Sequence, residues 1–356
     1  MKAGRRWRRF VLAGLAVMVV VWIGYKATTM RGMSGRLTVD TGCGSDPNTV
    51  AEMSRFIPGA APIRCEPWDI GTGVTGYVWQ ASNPRAVILV EHGWGDYAQR
   101  YVKQFGQLIP HLLERGISVY AIDMWGNGRS PGTRGATDIG NAVEDHLAAR
   151  RKLREQPLPV LVLGHSVGGL VTATSTLRDQ SGVRGMILIA PALNWRVSGF
   201  LRFVARVGGF LLPTVPMPVP PGDPSDQSRD AQFNERLAKD PLYYMGKLSW
   251  VTAGTGSTTA HANWKQYQHV TVPVLVVHGT GDKVAEPSGN REFIEAVRSQ
   301  DKTLSLVDGG RHSLLDDPPS NAEALQVIVE WLDRRLPKND AQTVNLGSAT
   351  SWRRSS

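Results

Sequence analysis

Gly164-His165-Ser166-Val167-Gly168 sets a serine between glycines, directly after the apolar run Val160–Leu163 and directly before the helical spacing that starts at Val167. Strand, sharp turn and helix are the setting of a nucleophile elbow. The glycines permit the turn, and the hydroxyl stands at the carboxyl end of a sheet. A serine hydroxyl is a weak nucleophile at neutral pH and needs a base, which an acid orients in turn. In the chain order serine, acid, histidine, the acid is expected at Asp282, after the strand Val274–Val277. The base is expected at His312, after the strand Thr303–Val307. Both follow the carboxyl ends of strands, where α/β sheets place their sites. Glu286 and Asp308 are rival acids that sit less directly at a strand end. His92, His165 and His278 are rival bases, each beside a glycine at a strand end, and read as structural. A tetrahedral acyl intermediate needs two N–H donors. Val167 N–H, just after the serine, supplies one. Trp94 N–H, in the turn His92-Gly93-Trp94-Gly95, supplies the other.

The elements that must hold these residues alternate. Tyr77–Gln80 reads as a short antiparallel strand. Ala86–Glu91, Ile117–Ile122, Val160–Leu163, Val183–Ile189, Val274–Val277 and Thr303–Val307 read as strands. Tyr101–Arg115, Asp138–Glu155, Val167–Arg178, Glu292–Val297 and Ala322–Leu336 read as the helices between them. This rhythm predicts an α/β fold, a mostly parallel sheet with helices on both faces. Residues 192–262 break the rhythm and are expected to form an inserted cap. Within it, Phe200–Leu212 is apolar around Arg202 and Arg206, followed by proline-rich 213–224. That segment is either a helix packed on its own domain or a lid whose apolar face guides acyl chains and touches membrane.

The net charge of +9 is confined to the ends. Residues 1–36 hold eight Lys or Arg and no acid, whereas 37–337 hold 29 basic and 30 acidic residues. A nucleic-acid surface on the fold is therefore not indicated. Two cysteines are too few for a disulfide scaffold or a four-cysteine zinc site. Lys2, Arg5, Arg6, Arg8 and Arg9 precede Phe10–Tyr25, which carries no charge. Residues 1–30 thus read as an uncleaved signal anchor, a single membrane-spanning helix, with a cleaved signal as the alternative. The domain would then lie outside the cytoplasm, periplasmic or extracellular. That compartment permits a Cys43–Cys65 disulfide, with two unpaired thiols as the alternative. An irregular linker is expected over 31–66, the catalytic domain over 67–336 and a disordered tail over 337–356.

Together these residues resemble the α/β-hydrolase superfamily, within it the monoacylglycerol lipase and lysophospholipase branch. The likeness rests on Glu91–Asp96 with Arg100-Tyr101, on Asp123–Ser130 and on the elbow. Asp240-Pro241-Leu242 and the Asp282 and His312 segments complete it. The resemblance covers about residues 70–336. It implies the triad Ser166, Asp282 and His312, oxyanion donors at Trp94 and Val167, and Asp96 and Arg100 near the polar, glycerol end of the pocket. Some members of the branch carry a second histidine three residues after the catalytic one. Here Leu315 stands there, a departure from strict monoacylglycerol preference.

The expected function is a serine hydrolase that cleaves esters of single-chain lipids, monoacylglycerol or lysophospholipid, through an acyl-enzyme on Ser166. Its expected partners are the lipid ester and the membrane. The serine–histidine route calls for no metal or cofactor. The alternatives are a small-ester carboxylesterase or a serine aminopeptidase-type hydrolase. A peptidase would need an acidic cluster for a free amine, and Asp223, Asp226, Asp230 and Glu235 alternate with Arg229 and Arg236. A non-enzymatic binding protein on the same fold is a third reading, against which the intact triad stands.

Overall fold

The computed structural model describes Cys43, residues 63–195 and residues 197–336. The expected anchor (1–30), most of the linker and the tail (337–356) lie outside the described residues. Among the described residues no helix is long and apolar enough to cross a membrane.

Eight strands form one sheet: β1 (Cys65–Pro67), β2 (Gly76–Trp79), β3 (Ala86–Glu91), β4 (Ile117–Ile122), β5 (Val160–His165), β6 (Val183–Ile189), β7 (Val274–Gly279) and β8 (Lys302–Val307). Their order is β1-β2-β4-β3-β5-β6-β7-β8. β1 and β2 run antiparallel, and β2 is antiparallel to β4. From β4 to β8 every pairing is parallel. This is the sheet of an α/β-hydrolase fold.

The central strands are apolar at nearly every position because both faces of the sheet are covered. Side chains alternate across a strand, so Ile88 and Val90 enter one core while Val87 and Leu89 enter the other. On the first face lie α1 (Arg100–Lys103), α2 (Leu108–Glu114) and α9 (Ser320–Asp333), with Tyr101, Leu112 and Trp331 buried. On the second lie α3 (Ile139–Leu153), α4 (Val167–Arg178) and α8 (Ser288–Ala296), with Leu147, Leu170 and Phe293 buried.

One expected helix is broken. Tyr101–Arg115 folds as α1 and α2 joined by a single 3-10 turn, Phe105–Gln107. Phe105, Gly106 and Gln107 have φ of 54°, 61° and 51°, outside helical space. The cause is tertiary. The Phe105 N–H donates to Asp316 Oδ1 at 2.5 Å, and the Phe105 ring is buried, stacked on Tyr101.

Between β6 and β7 come α5 (Gly199–Leu211), α6 (Ala231–Lys239) and α7 (Trp250–Asn263). α7 joins the body: Thr137 N–H and Ile139 N–H donate to its Thr252 and Thr255 hydroxyls, and its Asn263 amide donates to Thr174. α5 lies on α7 through small residues. A Cβ on Gly208 would sit 2.3 Å from the Trp250 ring, and one on Gly254 2.6 Å from Ala205 O. The bulky residues face outward instead, with Phe200 74% and Phe203 64% exposed.

Candidate active site

The elbow is held by backbone crowding. Ser166 has φ 54° and ψ −120°, a strained region for a residue with a side chain. A Cβ on Gly164 would lie 2.3 Å from Gly168 O, and one on Gly168 2.3 Å from His92 O. Only glycine fits either place, and the turn lifts the Ser166 hydroxyl off the end of β5.

The structure brings Ser166, His312 and Asp282 together from three strand ends. Ser166 Oγ is 2.8 Å from His312 Nε2, and His312 Nδ1 is 2.7 Å from Asp282 Oδ2. All three are buried. Asp282 Oδ1 also accepts the N–H groups of Val284 and Ala285, and His278 Nε2 lies 2.9 Å from Oδ2. Burial alone would raise the Asp282 carboxyl. The His312 charge and the bonds from His278 and His312 outweigh it and hold the group well below the usual carboxylate range. Such a chain can take a proton from the hydroxyl as it attacks and stabilise the imidazolium that results.

The rival groups have other partners. His278 also meets Ala285 O and the Asn290 side chain. His165 Nε2 lies 3.2 Å from His312 O, and burial, then the nearby His312, pushes its imidazole down to about 3. His92 bridges Gly93 O and Met124 N. Asp308 accepts from the Thr280 hydroxyl, and Glu286 lines the cavity above the serine.

Trp94 and Val167 both line that cavity. Val167 is the first residue of α4, where an N–H has no partner within the helix. Trp94 sits in the turn Gly93–Asp96, closed by Asp96 N–H on Gly93 O at 3.1 Å. Gly95, at φ 81°, takes the third position that a type II turn reserves for glycine. Asn127 Oδ1 accepts the Gly95 N–H, and Tyr244 N–H donates to Gly95 O.

Asp96 and Arg100 are placed differently from each other. Asp96 reaches the cavity wall and Arg100 does not. Arg100 grips both Asp96 oxygens, at 2.6 and 2.7 Å, and its Nη1 donates to Asp316 Oδ2 at 2.8 Å. Burial would raise Asp96, and Arg100 brings it below its ordinary value. For Asp316 burial prevails and the carboxyl is raised. Leu315 is buried against Gly106 and does not line the cavity. Cys43 and Cys65 are disulfide-bonded.

The cavity encloses about 470 Å³, with Trp195, Val219, Tyr243, Leu248 and Val284 in its walls. That is within the roughly 300–1,000 Å³ of small-molecule sites. Sequence reasoning missed the cap residues on this wall, because composition does not reveal which side of a cap faces inward. It also missed Asp316, which is 216 positions from Arg100 and carries no motif.

The chain is similar in sequence and in structure to known proteins. The monoacylglycerol lipase of Mycolicibacterium smegmatis is 31% identical over 75% of this chain and 95% of its own length. The human monoglyceride lipase is 30% identical over 71% and 84%. The crystal structure of a Paleococcus ferrophilus monoacylglycerol lipase superposes with a TM-score of 0.64 at 30% identity, over 72% of this chain and 98% of that one. The profile of the family described as serine aminopeptidase, S33, matches residues 82–319, more than half of the chain, and the chain belongs to that family.

Proposed function

We propose that the protein is a serine hydrolase that cleaves the carboxylic ester of a single-chain lipid, monoacylglycerol or lysophospholipid. The observation that carries this reading is the Ser166–His312–Asp282 chain, at 2.8 and 2.7 Å, whose Ser166 and His312 line a cavity walled by Trp94, Trp195, Val219 and Leu248. The similarity to monoacylglycerol lipases supports the substrate class.

In this reading His312 Nε2 takes the Ser166 proton while Oγ attacks the ester carbon. The N–H groups of Trp94 and Val167 receive the charge on the carbonyl oxygen. The tetrahedral intermediate collapses, His312 gives its proton to the departing alkoxide, and Ser166 carries the acyl group. Water repeats the sequence and releases the fatty acid. Asp282 holds His312 in the tautomer that bonds the serine. Asp96 shapes the polar end of the pocket, and Arg100 fixes Asp96.

The membrane assignment belongs to this proposal. Residues 1–30 anchor the chain, with the domain outside the cytoplasm, and the outward apolar face of α5 rests on the lipid surface. The charge pattern of the N-terminus, the exposed Phe200 and Phe203, and the Cys43–Cys65 bond support it.

The test is a hydrolysis panel on the full chain in detergent, beside Ser166→Ala. It contains monoacylglycerols, lysophospholipids, short p-nitrophenyl esters and an aminoacyl amide. Fatty-acid release from the single-chain lipids, lost in the variant, is expected. Turnover of the short esters alone, or of the amide alone, would discard the lipid assignment.

A further inference from the structure

His92 lies outside the proton path, yet its contacts concern the peptide that carries one of the two oxyanion donors. Met124 N–H donates to His92 Nε2 at 3.0 Å. A backbone N–H can only donate, so Nε2 is the acceptor and the ring proton sits on Nδ1. His92 Nδ1–H then donates to Gly93 O at 2.7 Å. Gly93 O and the Trp94 N–H belong to one trans peptide and point in opposite directions. Fixing the oxygen therefore fixes where the N–H points. Among the described residues no protein acceptor takes the Trp94 N–H.

Gly93 is also where a peptide turns over most easily. A Cβ there would lie 3.0 Å from His165 Nδ1 and 3.3 Å from Ser166 Cβ, so crowding favours glycine. Glycine is the residue whose backbone rotates most freely. If the Gly93–Trp94 peptide turned over, two N–H donors would face each other at His92. The Gly93 carbonyl oxygen would then stand where the substrate's oxygen must become negative. Among the described residues the one other bond that holds Gly93 O comes from the Asp96 N–H of its own turn. The imidazole, fully buried, ties that carbonyl to the backbone after β4.

We propose that His92 is a positioning residue for the oxyanion hole: it locks the Gly93–Trp94 peptide with the Trp94 N–H aimed at the reacting carbonyl. This rests on the hydrolase reading above and deepens it.

Two amide substitutions separate the halves of the ring. His92→Asn keeps an N–H donor near the Nδ1 position and gives up the acceptor for Met124. His92→Gln keeps the acceptor and gives up the donor at Nδ1. The full chain in detergent is assayed with p-nitrophenyl butyrate and with an alkylboronic acid, which forms a tetrahedral adduct on the serine. Thermal melts establish that both variants are folded. The expected result is a kcat within a few-fold of wild type for His92→Asn. For His92→Gln a fall of about 10- to 100-fold is expected, with KM little changed and boronate affinity reduced in proportion. A merely structural bridge between strand ends would reverse the order, because Gln preserves the Met124 bond. The proposal is overturned if His92→Gln keeps wild-type kcat, or if kcat falls while boronate affinity does not. Failure of the hydrolase reading shows separately, as wild-type turnover that survives Ser166→Ala.

Discussion

Arg100→Met tests whether Arg100 is a structural counter-ion or a substrate contact. The guanidinium is buried between Asp96 and Asp316, with side-chain exposures of 1%, 2% and 8%. It supplies one positive charge to two carboxylates. Methionine fills much of the space and removes the charge. Breaking a buried ion pair from one side costs about 3–5 kcal/mol, because the remaining charge is left without compensation. For a folded region of roughly 270 residues, with an unfolding entropy of about 2.1 cal/mol/K per residue, that lowers Tm by roughly 5–9 °C. The pH dependence has a definite sign. Asp96 now sits below its ordinary value, so its stabilisation is present above about pH 4 and is lost on acidification. Without Arg100, burial raises both carboxyls, and the native variant binds protons more readily than its unfolded chain. The variant therefore gains stability as pH falls from 7, and its gap to wild type narrows. The assay is thermal and urea unfolding by circular dichroism at pH 7 and pH 5. Adding Asp96→Asn and Asp316→Asn to the variant should restore most of the loss. The amide oxygen that Asp316→Asn introduces can still accept the Phe105 N–H. A gap under about 1 kcal/mol at pH 7, a gap that widens in acid, or a triple variant no better than the single would refute the counter-ion account.

Asp282→Asn should abolish most turnover and also flatten the acid limb of stability. The native carboxylate is held low, so its stabilisation is fully present at pH 7 and declines as pH falls below about 4, and the gap in Tm to wild type should be smaller at pH 3 than at pH 7. Replacing Cys43 and Cys65 by serine removes a cross-link of sequence separation 22; chain entropy puts the loss at about 3 kcal/mol, and equal melts with and without dithiothreitol would count against it. Phe200→Ser with Phe203→Ser should leave Tm nearly unchanged, because both are exposed. The same pair should weaken sedimentation with phosphatidylcholine vesicles and slow lipid hydrolysis more than p-nitrophenyl acetate hydrolysis; equal effects on both substrates would remove α5 from the membrane account.

The strands were legible because strands covered on both faces are written as continuous apolar runs, as in residues 86–90 of β3 and 186–189 of β6. The elbow was legible for a steric reason: Gly164 and Gly168 face backbone oxygens at 2.3 Å, so the motif records the turn itself. The break between α1 and α2 was not legible. It depends on Asp316 taking the Phe105 N–H from 211 positions away, and no local periodicity encodes that. α5 inverted the usual rule. Its apolar content was evident, but Ala205, Gly208 and Gly209 form the packed side and the phenylalanines the open one. Backbone donors such as the Trp94 N–H could be placed by position, whereas what orients them could not, since any residue type carries an N–H.

The three parts of the site differ in what holds them, and this limits how the cavity can widen. Ser166 and the turn at Trp94 are fixed by strand ends and crowded glycines. His312 is carried on a loop stitched to residues 225–229 of the segment between β6 and β7. His312 N–H donates to Asp226 O at 3.3 Å, and Ser313 N–H to Gln227 O at 2.8 Å. The Arg311 guanidinium bonds Ser225 O. Buried Asp317 takes the N–H groups of both Arg229 and Arg311 and the Arg229 guanidinium. Each of these bonds joins the histidine loop, directly or through Asp317, to that one short stretch. Lifting residues 225–229 would break them together and draw His312 away from a serine it must meet at 2.8 Å. Access that preserves the proton path therefore has to open elsewhere on the rim, at Val219 and Pro220 or Tyr244–Gly246, which line the cavity and, among the described residues, bond neither the histidine loop nor Asp282, whereas Val284 and Ala285 are tied to Asp282 Oδ1.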